Sequence, residues 1–244
     1  MKFAKDYYHN TVDLLQTIST EEEDLIEKAG TALAEVFRRD GLLYVFGCGH
    51  SHMIQEELFF RAGGLAPISP IFETSTMLHE GAVKSSQIER MSGYAQHVLN
   101  RYPLSPADAL LISSTSGINS FPIEMAQAAK MAGAIVIGIS SLNYIQSSSR
   151  QKDGLHLPDV CDIVIDNHVP VGDASVQINP DGTRSGPLST LASIFIANQL
   201  VLTACEKLIE WGIEPPVYKS GNCPDGDQYN ADLIARYKLR IRHL

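Results

Sequence analysis

The most constraining stretch of the chain is the apolar run Leu42–Phe46 followed by Gly47-Cys48-Gly49-His50-Ser51. An apolar run this short suits a strand buried on both faces of a parallel sheet better than a buried helix. Two glycines spaced by one residue let the backbone turn tightly and approach a ligand closely. A helix is expected over Met53–Arg61, with Ser51 at its start, where a hydroxyl caps the helix or meets an anion. Strand, glycine turn and helix N-terminus together aim free N–H groups and the positive end of a helix dipole at one point. A phosphate is therefore expected at Gly47–Ser51, a tight turn without ligand being the alternative. His52 stands where a dinucleotide fingerprint needs its third glycine, and no Gly-Lys-Ser/Thr follows as in a P-loop. The second glycine of a nucleophile elbow is also missing.

A second unit repeats the arrangement. Ala109–Ser114 reads as a strand, Thr115-Ser116-Gly117-Ile118-Asn119-Ser120 as a hydroxyl-rich turn, Phe121–Ala132 as a helix with Pro122 in its first turn, and Ala134–Ile139 as a strand. Strand, helix and strand at this spacing imply a right-handed βαβ unit and a parallel sheet. Val160–Asp166 supplies a further strand, and Ala66–Phe72, with Pro67 and Pro70, a short or edge strand. Two helices precede the sheet: one on Phe3, Tyr7, Thr11, Leu14, Leu15 and Ile18, and one opened by a capping box at Thr20–Glu23 and ending near Gly41. Ser86–Tyr102 reads as helical. Gly172–Arg184 reads as a hairpin or flap around Asn179-Pro180-Asp181-Gly182. Ser189-Thr190 opens a helix, Leu191–Ile209, apolar nearly all round and so expected to be buried. A last helix is expected over Tyr229–Ile241. The expectation is one domain over 1–244: a helical extension (1–40), an α/β core (41–212) and a tail (213–244).

Composition narrows the partners. A formal net charge of −9 argues against nucleic acid or an anionic membrane as the main partner, while leaving room for a local phosphate pocket. Cys48, Cys161, Cys205 and Cys223 are scattered and form no C-x-x-C, so they read as reduced thiols rather than a zinc site or disulfide framework. The first residues lack the apolar core of a signal peptide, and no apolar run is expected to span a membrane. A cytoplasmic protein is expected, with no cofactor and no metal, since His50-x-His52 has no third ligand at a suitable spacing.

The paired turns Gly47-x-Gly49-x-Ser51 and Ser114-x-Ser116-Gly117-x-Asn119, with Ser189-Thr190 as a third hydroxyl cluster, resemble the sugar isomerase (SIS) family of phosphosugar-binding domains. That family carries G-x-G-x-S after its first strand and S-x-S-G-x-T after a later one. The likeness covers roughly Leu42 to Ile209, and the whole chain is similar to a bacterial branch labelled phosphoheptose isomerase. The resemblance implies a doubly wound, flavodoxin-like parallel sheet with helices on both faces. It implies that Ser51, Ser114, Ser116 and Asn119, with Gly47, Gly49, Thr115, Gly117 and Ser189, surround the phosphate of a sugar phosphate. It further implies a homo-oligomer with shared pockets, for which the N-terminal helices and Leu191–Ile209 offer surface. Asn119 departs from the usual threonine. Arg61 stands where phosphoheptose isomerases place a glutamate, ten residues after the loop serine.

Aldose–ketose isomerisation through an enediol needs a base near neutral pKa and a dry pocket. Groups near the C-terminal ends of the strands are the candidates, since open α/β sheets bind ligands there. Glu73, His79 and Glu80, after the second strand, are the best placed, with Glu57 on the helix after the first loop. The alternatives are a sensor that keeps the pocket without a base, and a lyase acting on an amino-sugar phosphate.

Overall fold

The computed structural model describes all 244 residues. In chain order the elements are α1 (Lys2–Glu21), α2 (Glu23–Arg38), β1 (Leu43–Gly47), α3 (Met53–Leu58), β2 (Ile68–Pro70), α4 (Ala82–Glu89), α5 (Ala95–Leu99), β3 (Ala109–Ser113), α6 (Ser120–Met131), β4 (Ile135–Ser140), α7 (Leu157–Val160), β5 (Ile163–Asp166), β6 (Ala174–Gln177), β7 (Arg184–Pro187), α8 (Ser189–Glu210) and α9 (Gly226–Tyr237). Strands β1 to β5 form one parallel sheet in the order β2-β1-β3-β4-β5. This is the doubly wound, flavodoxin-like arrangement, with β6 and β7 as a separate antiparallel hairpin.

Alternation along the strands explains the two layers. Leu43 and Val45 point into one core with Leu33, Leu111, Ile196 and Leu200, the side covered by α2 and α8. Tyr44 and Phe46 point into the other, with Ile112, Phe121 and Tyr237, the side covered by α5, α6 and α9. Every residue of β1 and β3 is buried, and both strands are accordingly unbroken apolar runs up to their last residues.

Several boundaries depart from the sequence reading. No capping box forms at Thr20: its hydroxyl donates back to the Gln16 carbonyl at 2.7 Å, inside α1. The chain breaks instead at Glu22, whose carboxylate accepts the Asp166 amide at 3.1 Å and lies 2.9 Å from His168 Nε2, tying the N-terminal helices to the end of β5. Ser86–Tyr102 is two short helices, α4 and α5, separated at Ser92-Gly93, where Gly93 adopts a positive φ. α8 is buried on one side only: Leu202 is 67 % and Ile209 64 % exposed, while Ile196, Leu200 and Ala204 are fully buried. By length and composition α8 could cross a membrane, contrary to the expectation of no such run, and its inner stripe instead forms core.

Behind the sheet edge, the tail pairs with the segment leading into β2. Ala66 N donates to Pro216 O at 2.8 Å, Gly63 N to Tyr218 O at 2.8 Å, and Tyr218 N to Gly64 O at 2.9 Å. Tyr218, Tyr237 and Ile241 are buried against this side of the sheet.

Candidate functional site

The strand order reverses at β1: the chain goes next to β2 on one side and then to β3 on the other, and connections leaving β1 and β3 diverge to open a crevice at their C-terminal ends. Gly47 and Ser113, the last residues of the two strands, are register partners. The two hydroxyl-bearing loops therefore start one strand spacing apart, about 4.8 Å.

In the first loop Gly49–His52 is a single 3-10 turn and α3 starts only at Met53, so Ser51 is not a helix cap. A Cβ on Gly47 would lie 2.3 Å from the Ser51 carbonyl oxygen, which is why glycine is needed there. The Ser51 amide is used by Cys48 O at 3.0 Å. Ser51 lines a shallow surface indentation, too tight to hold a water molecule, together with His50, Ser189, Thr190 and Ser193.

The second loop is more open to an anion. Ser114 N extends the sheet by donating to Ile139 O at 3.0 Å, but the amides of Thr115, Ser116, Gly117, Ile118 and Asn119 donate to no backbone group. Their carbonyls are turned the other way: Thr115 O accepts from Ser141 N at 2.9 Å, Gly117 O from Leu157 N and Ile118 O from Arg150 N, both at 2.8 Å. Gly117, at φ +62°, makes this reversal possible. These amides run straight into the N-terminus of α6, where the helix dipole adds to them. Ser116 lines a second shallow indentation of the same kind with Ser140, Ser141, Tyr144 and His156. Between the two indentations Ser113 Oγ donates to Ser193 Oγ at 3.2 Å.

Ser189 does not offer its hydroxyl to a ligand. It donates to Asp173 Oδ2 at 2.6 Å, and Asp173 Oδ1 accepts the amides of Leu188 and Ser189 at 2.9 and 2.8 Å. A carboxylate thus already occupies the anion position at the start of α8. Asn119 is also engaged: Nδ2 donates to Glu89 Oε1 at 2.8 Å, and Oδ1 accepts from Arg150 Nη1 at 2.7 Å.

The carboxylates singled out from the sequence are mostly bound elsewhere. Glu73 is buried and accepts from Ser75 Oγ at 2.5 Å, Tyr94 OH at 3.2 Å and the Arg101 guanidinium. Burial alone would raise its carboxyl, but these donors outweigh it and hold it below the ordinary glutamate value. Glu80 is exposed and paired with Lys84, and hydrogen bonds from Lys84 and Thr74 hold its carboxyl low. Glu57 is paired with Arg61 and accepts from Asn198 Nδ2 at 3.0 Å. His79 is exposed and packs edge-on against His52, with ring centroids 5.4 Å apart.

Because the folded Glu73 carboxyl holds its proton less tightly than the unfolded one, its contribution to stability is complete above the unfolded value, about 4.3. That contribution is lost as pH falls below it, through the folded value. Glu73→Gln is therefore expected to flatten the acid limb of a melting-temperature profile below about pH 4.

Glu89, at the end of α4, had no local sign in the sequence. The nearest signal is Ser92-Gly93 just after it, which marks a helix stop. Burial pushes its carboxyl above the ordinary value, and the Asn119 bond and the nearby Arg90 and Arg150 reduce that rise without cancelling it. Its charge also reaches the Cys48 thiol, which burial and then Glu89 push up.

The largest surface cleft lies away from the sheet ends, between α1, α2 and α8. It is lined by Glu23, Glu27 and Glu206, with Lys207 already paired to Glu27 and Glu210. Its acidic lining opposes an anionic ligand.

The SIS domain model matches residues 6–141. A UPF0309 protein of Halalkalibacterium halodurans is 42% identical over 236 residues, covering 96% of this chain and 94% of its own. By structure, a phosphoheptose isomerase of Neisseria gonorrhoeae superposes with a TM-score of 0.54 at 14% identity, over 82% of this chain and 96% of that one. The NanR protein of Vibrio vulnificus, complexed with ManNAc-6P, superposes with a TM-score of 0.50 at 15% identity, over 96% and 69%. These two structures show likeness of fold. The matched domain, the sheet order and the relative aligned over nearly its whole length agree: the chain belongs to the SIS domain family.

Proposed function

We propose that this protein binds a phosphorylated sugar at the switch point of its sheet and interconverts its aldose and ketose forms through an enediol. The observation that carries this is the run of unpaired amides from Thr115 to Asn119 at the start of α6. Such a nest holds a phosphate with neutral donors in an acidic protein. The hydroxyls of Ser51, Ser114, Thr115 and Ser116 complete the cradle, and Gly47, Gly49 and Gly117 let the two backbones approach. Two proteins of like fold support the ligand class, one named a phosphoheptose isomerase and one complexed with ManNAc-6P. A half-buried carboxyl with a raised proton affinity, bonded to Asn119 of the second loop, favours an enzyme over a sensor. The exposed apolar residues of α8, Leu191, Leu202 and Ile209, and of α1, Phe3, Tyr8 and Val12, are where a second copy would dock.

Melting curves with fructose 6-phosphate, glucosamine 6-phosphate and sedoheptulose 7-phosphate, each against its unphosphorylated sugar, test the pocket. A ligand at about 100 times its dissociation constant adds about 2.7 kcal/mol, a rise of about 5–10 °C for a chain of this size. The rise is expected only with the phosphate present, and an equal rise with both forms would refute the pocket. Ser116→Ala and Ser51→Ala are each expected to weaken binding about tenfold, as for a lost hydrogen bond to a charged group. The free protein should melt within about 0.5 kcal/mol of wild type. Unfolding with unchanged affinity would make those serines structural.

A further inference from the structure

We propose that Glu89, held by Asn119 at the mouth of the second loop, is the group that carries the proton between C1 and C2 of the sugar. This role rests on the isomerase reading above. It moves the base from the position of Arg61, just past the end of α3, to the end of α4. The two departures from the family pattern, Asn119 and Arg61, thereby become one change.

The geometry is specific. α4 packs against both the 3-10 turn of the first loop and α6, and its last residue is bonded to the second loop through Asn119. The chain just after it is pinned to α6, since Ser92 Oγ and Gly93 N both donate to Glu124, the latter at 2.6 Å. Asn119 is the last residue of the unpaired amide run, and its side chain donates to Glu89 Oε1 at 2.8 Å. Asparagine reaches one atom further than threonine and has separate donor and acceptor ends, so it binds Glu89 and Arg150 at once. Glu89 Oε2 has no partner within the protein. One oxygen is thus fixed and the other free, the arrangement a positioned base needs. Glu73, Glu80 and Glu57 lack this, each being held by cationic partners.

Electrostatics follow the same direction. Burial raises the Glu89 carboxyl; Arg90 on its own helix and Arg150 from the loop after β4 oppose the rise, and the buried Cys48 faces it from the first loop. A phosphate bound at Thr115–Asn119 adds negative charge and raises it further, towards the neutral range where a proton carrier works best. In the forward step Oε2 removes the C2 hydrogen of the aldose as a proton, its electron pair becomes the C1–C2 double bond, the C1=O π pair moves onto O1, and O1 takes a proton from solvent. In the second step O2 loses its proton to solvent and Glu89, whose carried proton exchanges with solvent during the lifetime of the enediol, delivers a proton to C1. No electrons leave the sugar, so no co-reactant is needed.

The test is hydrogen exchange in D2O. Fructose 6-phosphate, glucosamine 6-phosphate and sedoheptulose 7-phosphate are each incubated with wild type and with Glu89→Gln, and proton NMR follows loss of the C1 and C2 hydrogens. Glutamine keeps an acceptor for Asn119, so the variant should fold and be stabilised by the same sugar phosphate as wild type. Its exchange should fall by about 10²–10⁴-fold, with partial recovery in Glu89→Asp. The acid limb of the wild-type exchange rate should lie above the ordinary glutamate value of about 4.3. Exchange by Glu89→Gln within threefold of wild type overturns the role of Glu89 alone. Wild type that is stabilised but exchanges nothing overturns that role together with the isomerase reading, and wild type that no sugar phosphate stabilises overturns the pocket as well.

Discussion

Alanine at Gly47 is expected to cost about 3 kcal/mol, the upper part of the range for forcing atoms into a filled interior. The added methyl would lie 2.3 Å from the backbone oxygen of Ser51 and 2.6 Å from its carbonyl carbon. Neither is the movable end of a side chain, so the whole 3-10 turn must shift. The φ at Gly47 is not in the left-handed region, which makes the cost purely one of contact. A drop in melting temperature of about 6–12 °C is expected for a chain of this length. Gly49→Ala is the control: its φ is +55°, yet nothing lies within 4 Å of the new methyl, so only backbone strain of about 1–2 kcal/mol applies. Urea denaturation of both variants separates the two effects. Equal losses would mean that the loop yields to contact and that Gly47 is not the hinge of the site.

The second large effect is expected at Phe121. Its ring is fully buried, stacks on Phe46 at a centroid distance of 5.5 Å and meets Tyr94 edge-on at 5.6 Å. Phe46 is one residue before the end of β1, Phe121 sits in the first turn of α6, and Tyr94 donates to Glu73. One ring therefore braces the first loop, the second loop and the segment between α4 and α5. Phe121→Ala should cost about 3–5 kcal/mol, the range for emptying a buried aromatic site. Because the lost brace sits under the amide nest, affinity for a sugar phosphate should also fall about tenfold, read by calorimetry well below the melting point. Ala126→Gly, on the same helix but farther from the loops, should lower stability by about 1 kcal/mol and leave affinity unchanged. Loss of affinity in both would mean that general destabilisation, not the brace, is being measured.

The sheet was legible because burial on both faces leaves an unmistakable residue pattern. Leu42–Phe46, Ala109–Ser114 and Ala134–Ile139 each match a central strand to within a residue at either end. The two loops were legible because glycine and hydroxyl residues directly after an apolar run have few other uses. What the sequence did not reveal depends on distant parts of the chain. Thr20–Glu23 has the spacing of a capping box, but Glu22 is drawn to Asp166 and His168, 144 and 146 residues away, and the helices join there instead. Ser189 looks like a ligand until Asp173 is seen bonded to it. Glu73 and Glu80 were favoured for lying after the second strand, whereas Glu89 acquires its environment from Asn119, 30 residues further on. A carboxylate's usefulness as a base is set by what surrounds it, and its own sequence neighbours say little about that.

The pairing of Val217 and Tyr218 with the residues leading into β2 has a practical consequence for anyone trimming this protein. Cutting the chain before Pro215 would uncover hydrogen-bonding backbone at Gly63–Ala66 and strip Tyr218, Tyr237 and Ile241 from the apolar surface they cover. A shortened form would keep every strand of the sheet and both loops, yet present a sticky flank to its neighbours in solution. Its failure would show as precipitation on concentration rather than as a loss of ligand recognition.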